Sequence, residues 1–197
     1  MNKWPYISPG IPDEYFGRAE GVPMTKSEIR VLSLSKLRLF PQAVVYDVGA
    51  GSGSVAIECK LWLPDGRVLA IEKNPRAVEL IKQNAERLEA DLEIVAGNAP
   101  DCLADLPPAD RIFVGGSGGR LEAILEGCDL QLKAGGWLVV NSVSLASGPQ
   151  AYSFLKSRGY DCEATQVSIA VSSSRGSSEL WQARNPVVII AARKGGG

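Results

Sequence analysis

Short apolar runs alternate with amphipathic stretches along most of the chain. Val44–Val48, Val68–Ile71, Leu92–Val95, Arg111–Val114 and Trp137–Val140 are rich in branched aliphatic residues and are bounded by glycine, proline or charge. Runs so short and so β-branched predict buried strands. Between them apolar residues return at helical spacing. Val55, Ala56, Ile57 and Cys59 mark a helix from about Ser54 to Leu63. Val78, Leu80, Ile81 and Leu88 mark another from Pro75 through Leu88, with its charges outside. A third runs from Leu121 to Leu132. Ahead of the first strand a helix opens near Pro23. Thr25 and Glu28 there have capping-box spacing, and Ile29, Leu32 and Leu37 form an apolar face that ends before Pro41. Beyond a turn at Ala134-Gly135-Gly136 and the fifth strand, Gly148-Pro149 precedes a helix to about Ser157. Cys162–Val171 is a sixth strand, 172–185 a polar Ser-rich loop, and Pro186–Ala191 a last strand. This alternation predicts one α/β domain over residues 1–197, with a mostly parallel sheet and helices on both faces. The last two strands, with no helix between them, are expected to be antiparallel. Ligand is expected outside the carboxyl ends of the strands.

The strongest chemical signal is the loop after the first strand. Asp47 stands two residues before Gly49-Ala50-Gly51-Ser52-Gly53, and Ser54 occupies the place of the third glycine in a dinucleotide fingerprint. The three glycines are expected to serve a tight turn, a close backbone approach to ligand, and close helix–strand packing. The second strand ends in Glu72, where an adenosine cofactor needs a carboxylate to accept from its ribose hydroxyls. Capping of the next helix is the competing role for Glu72, although Asn74-Pro75 already supply cap and first-turn residues. The third strand empties into Gly97-Asn98-Ala99-Pro100, placed to flank an adenine. The fourth empties into Gly115-Gly116-Ser117-Gly118-Gly119-Arg120, a concentration of backbone amides ahead of a helix and so a ready anion site.

Composition narrows the partners. The 197 residues carry 21 basic and 22 acidic side chains for a net charge of −1, with no basic block, so nucleic acid is not an expected partner. There is no histidine, which removes the commonest general base and metal ligand. Cys59, Cys102, Cys128 and Cys162 are scattered, with no C-x-x-C, so neither a metal site nor a disulfide framework is expected. No signal peptide opens the chain and no apolar run reaches membrane-spanning length, which suits a cytoplasmic protein. Residues 1–22 are rich in proline, glycine and aromatics and read as an irregular arm packed on the domain, able also to cover an active site or a partner subunit.

Asp47 with the G-x-G-x-G loop resembles motif I of the S-adenosylmethionine (SAM) methyltransferases. Pro23–Lys26, Asp47–Ser54, Gly97–Pro100, Val114–Gly119 and Asn141–Ser144 together resemble, in order and over nearly the whole chain, the stand-alone precorrin and cobalt-precorrin carbon-15 methyltransferases (decarboxylating) of cobalamin biosynthesis. The resemblance implies a Rossmann-like class I fold with seven strands and SAM as cofactor. It implies SAM binding by Thr25, Gly49, Ala50, Gly51, Ser52, Gly53, Glu72, Gly97, Asn98 and Ala99. Thr25 would then touch ligand as well as cap its helix. The loop Gly115, Gly116, Ser117, Gly118 and Gly119 would face the tetrapyrrole, with Arg120 and Asn141 on the same side. A homotetramer is also implied.

Such a substrate carries many acetates and propionates, which Arg120 and Arg175 or Arg184 are placed to hold. The accepting ring carbon is already nucleophilic, so no base is needed and catalysis is chiefly alignment. Loss of one acetate as carbon dioxide would be helped by desolvating that carboxylate while pairing the others. Three other readings compete. A protein or RNA methylase would often carry Asn/Asp-Pro-Pro-aromatic after the fourth strand, where this chain has Gly-Gly-Ser-Gly-Gly. A nicotinamide dehydrogenase is disfavoured by the loop spacing. A binding module that kept only the cofactor pocket would transfer no methyl group.

Overall fold

The computed structural model describes residues 4–176 and 178–196, without the Arg175 side chain. Its strands are β1 (Val44–Val48), β2 (Arg67–Glu72), β3 (Glu93–Ala96), β4 (Ala109–Val114), β5 (Leu132–Ser142), β6 (Asp161–Val167), β7 (Ala170–Arg175), β8 (Ser178–Ala183) and β9 (Val187–Arg193). Its helices are α1 (Ser27–Leu37), α2 (Ser54–Trp62), α3 (Pro75–Leu88), α4 (Leu121–Gln131) and α5 (Ser147–Ser157). Seven strands form one sheet in the order β3-β2-β1-β4-β5-β9-β6. Pairs among β1 to β5 are parallel, and β9 runs antiparallel to both β5 and β6. The strand order reverses at β1 and β4, the switch point where a doubly wound sheet opens a crevice.

Period-two alternation divides the sheet residues between two cores. Tyr46 and Val48 join one core with α4 and α5, through Leu125, Cys128 and Leu155. Val45 joins the other with α1 and α2, through Leu37, Val55 and Cys59. Asp47 shares the face of Val45, so an acid enters the apolar layer under α2. The arm packs as expected: Ile11 and Phe16 are buried against Ile57 and Leu88 of α2 and α3.

Four local expectations fail for identifiable reasons. The Ser-rich stretch is not a loop, because β7 and β8 form an antiparallel hairpin pairing Ala170 with Ala183 through Arg175 with Ser178. The expected sixth strand therefore ends at Val167. Every residue of β8 is exposed and the described residues of β7 are at most half-buried, so the hairpin writes only a weak apolar alternation into the sequence. The expected turn at 134–136 lies inside β5, where the register against β4 shifts between Ala109 and Arg111 and Gly135 takes a left-handed φ of 74°. Leu32 is 38% exposed, and the buried stripe of α1 is Ile29, Arg30, Ser33, Leu34 and Leu37. Thr25 does not cap α1. Lys26 holds the cap position without a side-chain bond, and Asp13 of the arm accepts from the Ser27 N–H at 3.1 Å. A cap supplied from a distant segment leaves no local spacing to read.

Candidate active site

The loop after β1 is built by close backbone approaches. Gly49 has φ 72°, and a Cβ there would lie 2.5 Å from the carbonyl oxygen of Gly116. Gly51 has φ 55°, and a Cβ there would lie 2.6 Å from the carbonyl oxygen of Pro23. Beyond the turn, ligand approach and helix–strand packing expected from the sequence, these glycines admit the backbone of other segments. Ser52 donates its N–H to Pro23 O at 3.1 Å, which ties the loop to the segment ahead of α1. Ala50 donates its N–H to Ile71 O at 3.1 Å, and Gly53 caps α2.

Glu72 closes one side of this loop. Its Oε2 accepts from the Gly51 N–H, and its Oε1 accepts from the N–H groups of Lys73 and Asn74, all at 2.9 Å. Asn74 is the cap of α3, accepting from Arg76 N–H at 3.0 Å. A carboxylate offers about four acceptor positions, so about one is left for a ligand hydroxyl. Gly49, Glu72, Gly97, Asn98 and Ala99 line a cavity of about 380 Å³ together with Gly116, Ser117 and Gly118. Ala50, Gly51, Ser52 and Gly53 are not among its lining residues. The Asn98 side-chain nitrogen already donates to Asp101 Oδ2 at 2.8 Å, so what it offers an adenine amine is its carbonyl oxygen.

Asp47 lies beneath the loop at 1% exposure. Its Oδ2 accepts from Ala56 N–H at 2.9 Å, while its Oδ1 and the Ser52 Oγ are buried without partners. Burial pushes its pKa up to about 7; the Ala56 bond opposes this and the nearby Glu72 charge adds to it. A carboxyl whose folded pKa is raised binds its proton more tightly folded than unfolded. Its contribution is therefore fully present at acid pH and is lost as pH rises through about 7. Asp47→Asn removes that loss. The melting temperature of the variant, relative to wild type, is expected to climb by several degrees between about pH 5 and pH 8. A difference that stays flat across that range in thermal melts would refute the buried-acid reading.

A larger cleft of about 700 Å³ opens on the other side of the loop after β4. Pro23, Thr25, Gly115 and Asn141 line it, with Lys26 and Arg184. Pro23 also lines the smaller cavity, so the two meet along Pro23 and the consecutive residues Gly115 and Gly116. Thr25 thus faces the larger cleft. Its carbonyl oxygen accepts from Arg30 Nη1 at 2.6 Å and from Ser54 Oγ at 3.5 Å. Asn141 also exchanges bonds with Ser33 of α1, donating from Nδ2 at 2.8 Å. Gly119 lines neither space. Arg120 is paired with Asp101 at 3.1 Å, and that bond holds the Asp101 carboxyl below its usual range. Arg120 therefore ties the glycine loop to the turn after β3, through a solvent-screened pair that a substrate carboxylate would have to displace. Arg175 sits at the end of β7, and its side chain lies outside the described residues.

Sequence reasoning missed Lys26, Gln182 and Asn185 on the large cleft and Lys73 beside the glycine loop, where a Cβ on Gly118 would lie 3.1 Å from the ammonium. The first three lie at element ends that only the β7–β8 hairpin brings together. Among the described residues no group of three or more Cys, Asp and Glu side chains is placed to hold a metal.

The precorrin methyltransferase domain family matches residues 16–194. The chain belongs to this family. A cobalt-precorrin-6B C(15)-methyltransferase (decarboxylating) from Salmonella typhimurium is 38% identical over 93% of this chain and 96% of its own. A Pyrobaculum calidifontis relative, named a probable enzyme of the same kind, is 46% identical over 96% of this chain and 98% of its own. The crystal structure of a precorrin-6y C5,15-methyltransferase from Geobacter metallireducens superposes with TM-score 0.90 at 40% identity, covering 97% of this chain and all of that one. The fold is that of the class I SAM-dependent methyltransferases, which share it at far lower identity.

Proposed function

We propose that this protein methylates carbon 15 of cobalt-precorrin-6B, or of the corresponding metal-free precorrin, and releases one acetate carboxyl as carbon dioxide in cobalamin biosynthesis. The observation that carries this reading is the pair of spaces meeting at Gly115 and Gly116. One is of cofactor size beside Glu72, and the other is larger and lined by cations and apolar groups. Both fall within the roughly 300–1,000 Å³ of small-molecule sites. The residues on the smaller cavity suit SAM. Glu72 keeps an acceptor position for a ribose hydroxyl. SAM, when bound, supplies a methyl group activated by its sulfonium. The chain's own part is to hold the two reactants in line across the Gly115–Gly116 junction and to exclude water there. In the decarboxylation the electrons of the broken C–C bond pass into the conjugated ring, carbon dioxide leaves, and a proton takes its place. Leaving the departing acetate unpaired while its siblings meet cations would favour that step.

A homotetramer in the cytoplasm, without nucleic acid, completes the proposal. Exposed Leu180 and Trp181 on β8, at 49% and 79%, support an interface there. Among the described residues no helix is long and apolar enough to cross a membrane. Nothing at the site favours the protein or RNA alternative. The deciding experiment is mass spectrometry of cobalt-precorrin-6B incubated with methyl-labelled SAM, with gain of the label and loss of carbon dioxide expected. No mass change in a protein shown to bind SAM would overturn the reading. Glu72→Ala is expected to weaken SAM binding by roughly a hundredfold or more in calorimetry, because it removes a charge-assisted ligand bond and also releases the three backbone N–H groups that hold the loop. Wild-type affinity in that variant would remove Glu72 from the cofactor site.

A further inference from the structure

The large cleft carries cations but, among its lining residues, no carboxylate. Its base is apolar, with Met24, Ile29, Ile169, Val171 and Val187. An apolar floor with a cationic rim suits a flat ring bearing carboxylates at its edge. Both rim cations are engaged by carboxylates from just outside the lining. Arg184 Nη1 lies 2.5 Å from Glu28 Oε2, and Lys26 Nζ lies 3.2 Å from Asp13 Oδ2.

The two pairs differ in what else holds them. Asp13 also accepts from the Ser27 N–H and lies within 3.7 Å of Arg18 and Arg30. Glu28 has Arg184 as its ion-pair partner and sits in the first turn of α1, where a carboxylate is favoured without any cation. Arg184 has its backbone pinned independently, donating its N–H to Ile169 O at 2.8 Å across the base of the β7–β8 hairpin. The root of the side chain is thus held in place whether or not Glu28 holds the guanidinium. Side-chain exposures of 29% for Arg184 and 40% for Glu28 make this a solvent-screened pair, easily exchanged.

We propose that Arg184 is a substrate-binding residue that takes a peripheral carboxylate of the tetrapyrrole, and that Glu28 is the placeholder this carboxylate displaces. The inference rests on the function proposed above. It places the macrocycle over the apolar floor between α1 and the hairpin base, with Gly115 and Asn141 at the inner end nearest the cofactor cavity. Arg184 is then committed to a carboxylate that stays, at the rim of the cleft.

The test uses the full-length chain, with KM for cobalt-precorrin-6B, binding of uroporphyrin as a stable ring bearing acetates and propionates, and SAM affinity by calorimetry. Arg184→Gln is expected to raise KM and weaken the porphyrin roughly tenfold or more while leaving SAM affinity unchanged. Arg184→Lys should recover part of the loss. Glu28→Gln removes the competitor and should tighten the porphyrin about twofold or more. Wild-type porphyrin affinity in Arg184→Gln would overturn this inference and leave the methyltransferase intact. So would equal loss of porphyrin and SAM, which marks a purely structural role. A wild-type protein that turns over no tetrapyrrole would overturn the function itself, and this inference with it.

Discussion

Gly49→Ala is expected to lose SAM binding in calorimetry and to slow methyl transfer by about a hundredfold or more, the cost of roughly 1 Å of misplacement at a reacting centre. Two independent costs converge at this position. The left-handed φ of 72° penalises any side chain by about 1–2 kcal/mol. The added Cβ also meets the Gly116 carbonyl oxygen at 2.5 Å, and that atom is backbone with no rotamer to yield. Relief requires the loops after β1 and β4 to part, and those loops are two walls of the smaller cavity, the proposed SAM site. Gly135→Ala is the matched control. Its φ of 74° carries similar strain, but nothing stands within 4 Å of the new methyl. That variant should lose a little stability and bind SAM normally. If Gly49→Ala also binds SAM at wild-type affinity, the contact with Gly116 does not shape the cavity.

The same contact shows how far the sequence could be read. The G-x-G-x-G spacing and the terminal acid of β2 mark the side of the smaller cavity because they are local: each follows directly from a strand into its own turn. Pro75–Leu88 was legible to the residue because its apolar face is continuous and its start is punctuated by Asn74-Pro75, and the first strand was legible from its apolar run ahead of Gly49. What could not be read is whatever depends on a distant segment. The Gly116 carbonyl explains Gly49, Pro23 explains Gly51, and Asp13 caps α1 from the arm. The β7–β8 hairpin was hidden for another reason. Its order rests chiefly on backbone pairing, with β8 exposed and the described residues of β7 at most half-buried, so serines and a tryptophan are accommodated along it. The substrate side inherits this opacity. Arg184 and Asn141 were candidates from the sequence, but that they meet Lys26 across one cleft is not encoded in the local pattern, nor is the pairing of Arg120 with Asp101.

Arg30 provides the largest expected loss of stability. It is fully buried, with Nε 2.6 Å from Glu58 Oε2, which is fully buried too. Its remaining donors reach the carbonyl oxygens of Thr25, at 2.6 Å, and Ile11, and its guanidinium lies over the Phe16 ring at 4.8 Å. Glu58 in turn accepts from the Gly10 N–H. One ion pair thus gathers the arm, the segment ahead of α1, and α2. Arg30→Met leaves Glu58 charged and buried with only that amide bond, which costs about 3–5 kcal/mol. For a chain of this size the melting temperature should fall by roughly 6–20 °C. The double variant Arg30→Met/Glu58→Leu should regain much of that, because an apolar pair of similar volume leaves no orphaned charge. Function separates stability from positioning. Pro23 accepts from the loop at Ser52 and lines both spaces, so loosening Thr25 should weaken SAM binding even in the restabilised double variant. A double variant that regains both melting temperature and wild-type SAM affinity would make the pair a purely structural clasp. An Arg30→Met protein that melts like wild type would mean the charge is satisfied in some other way, and the clasp itself would be refuted.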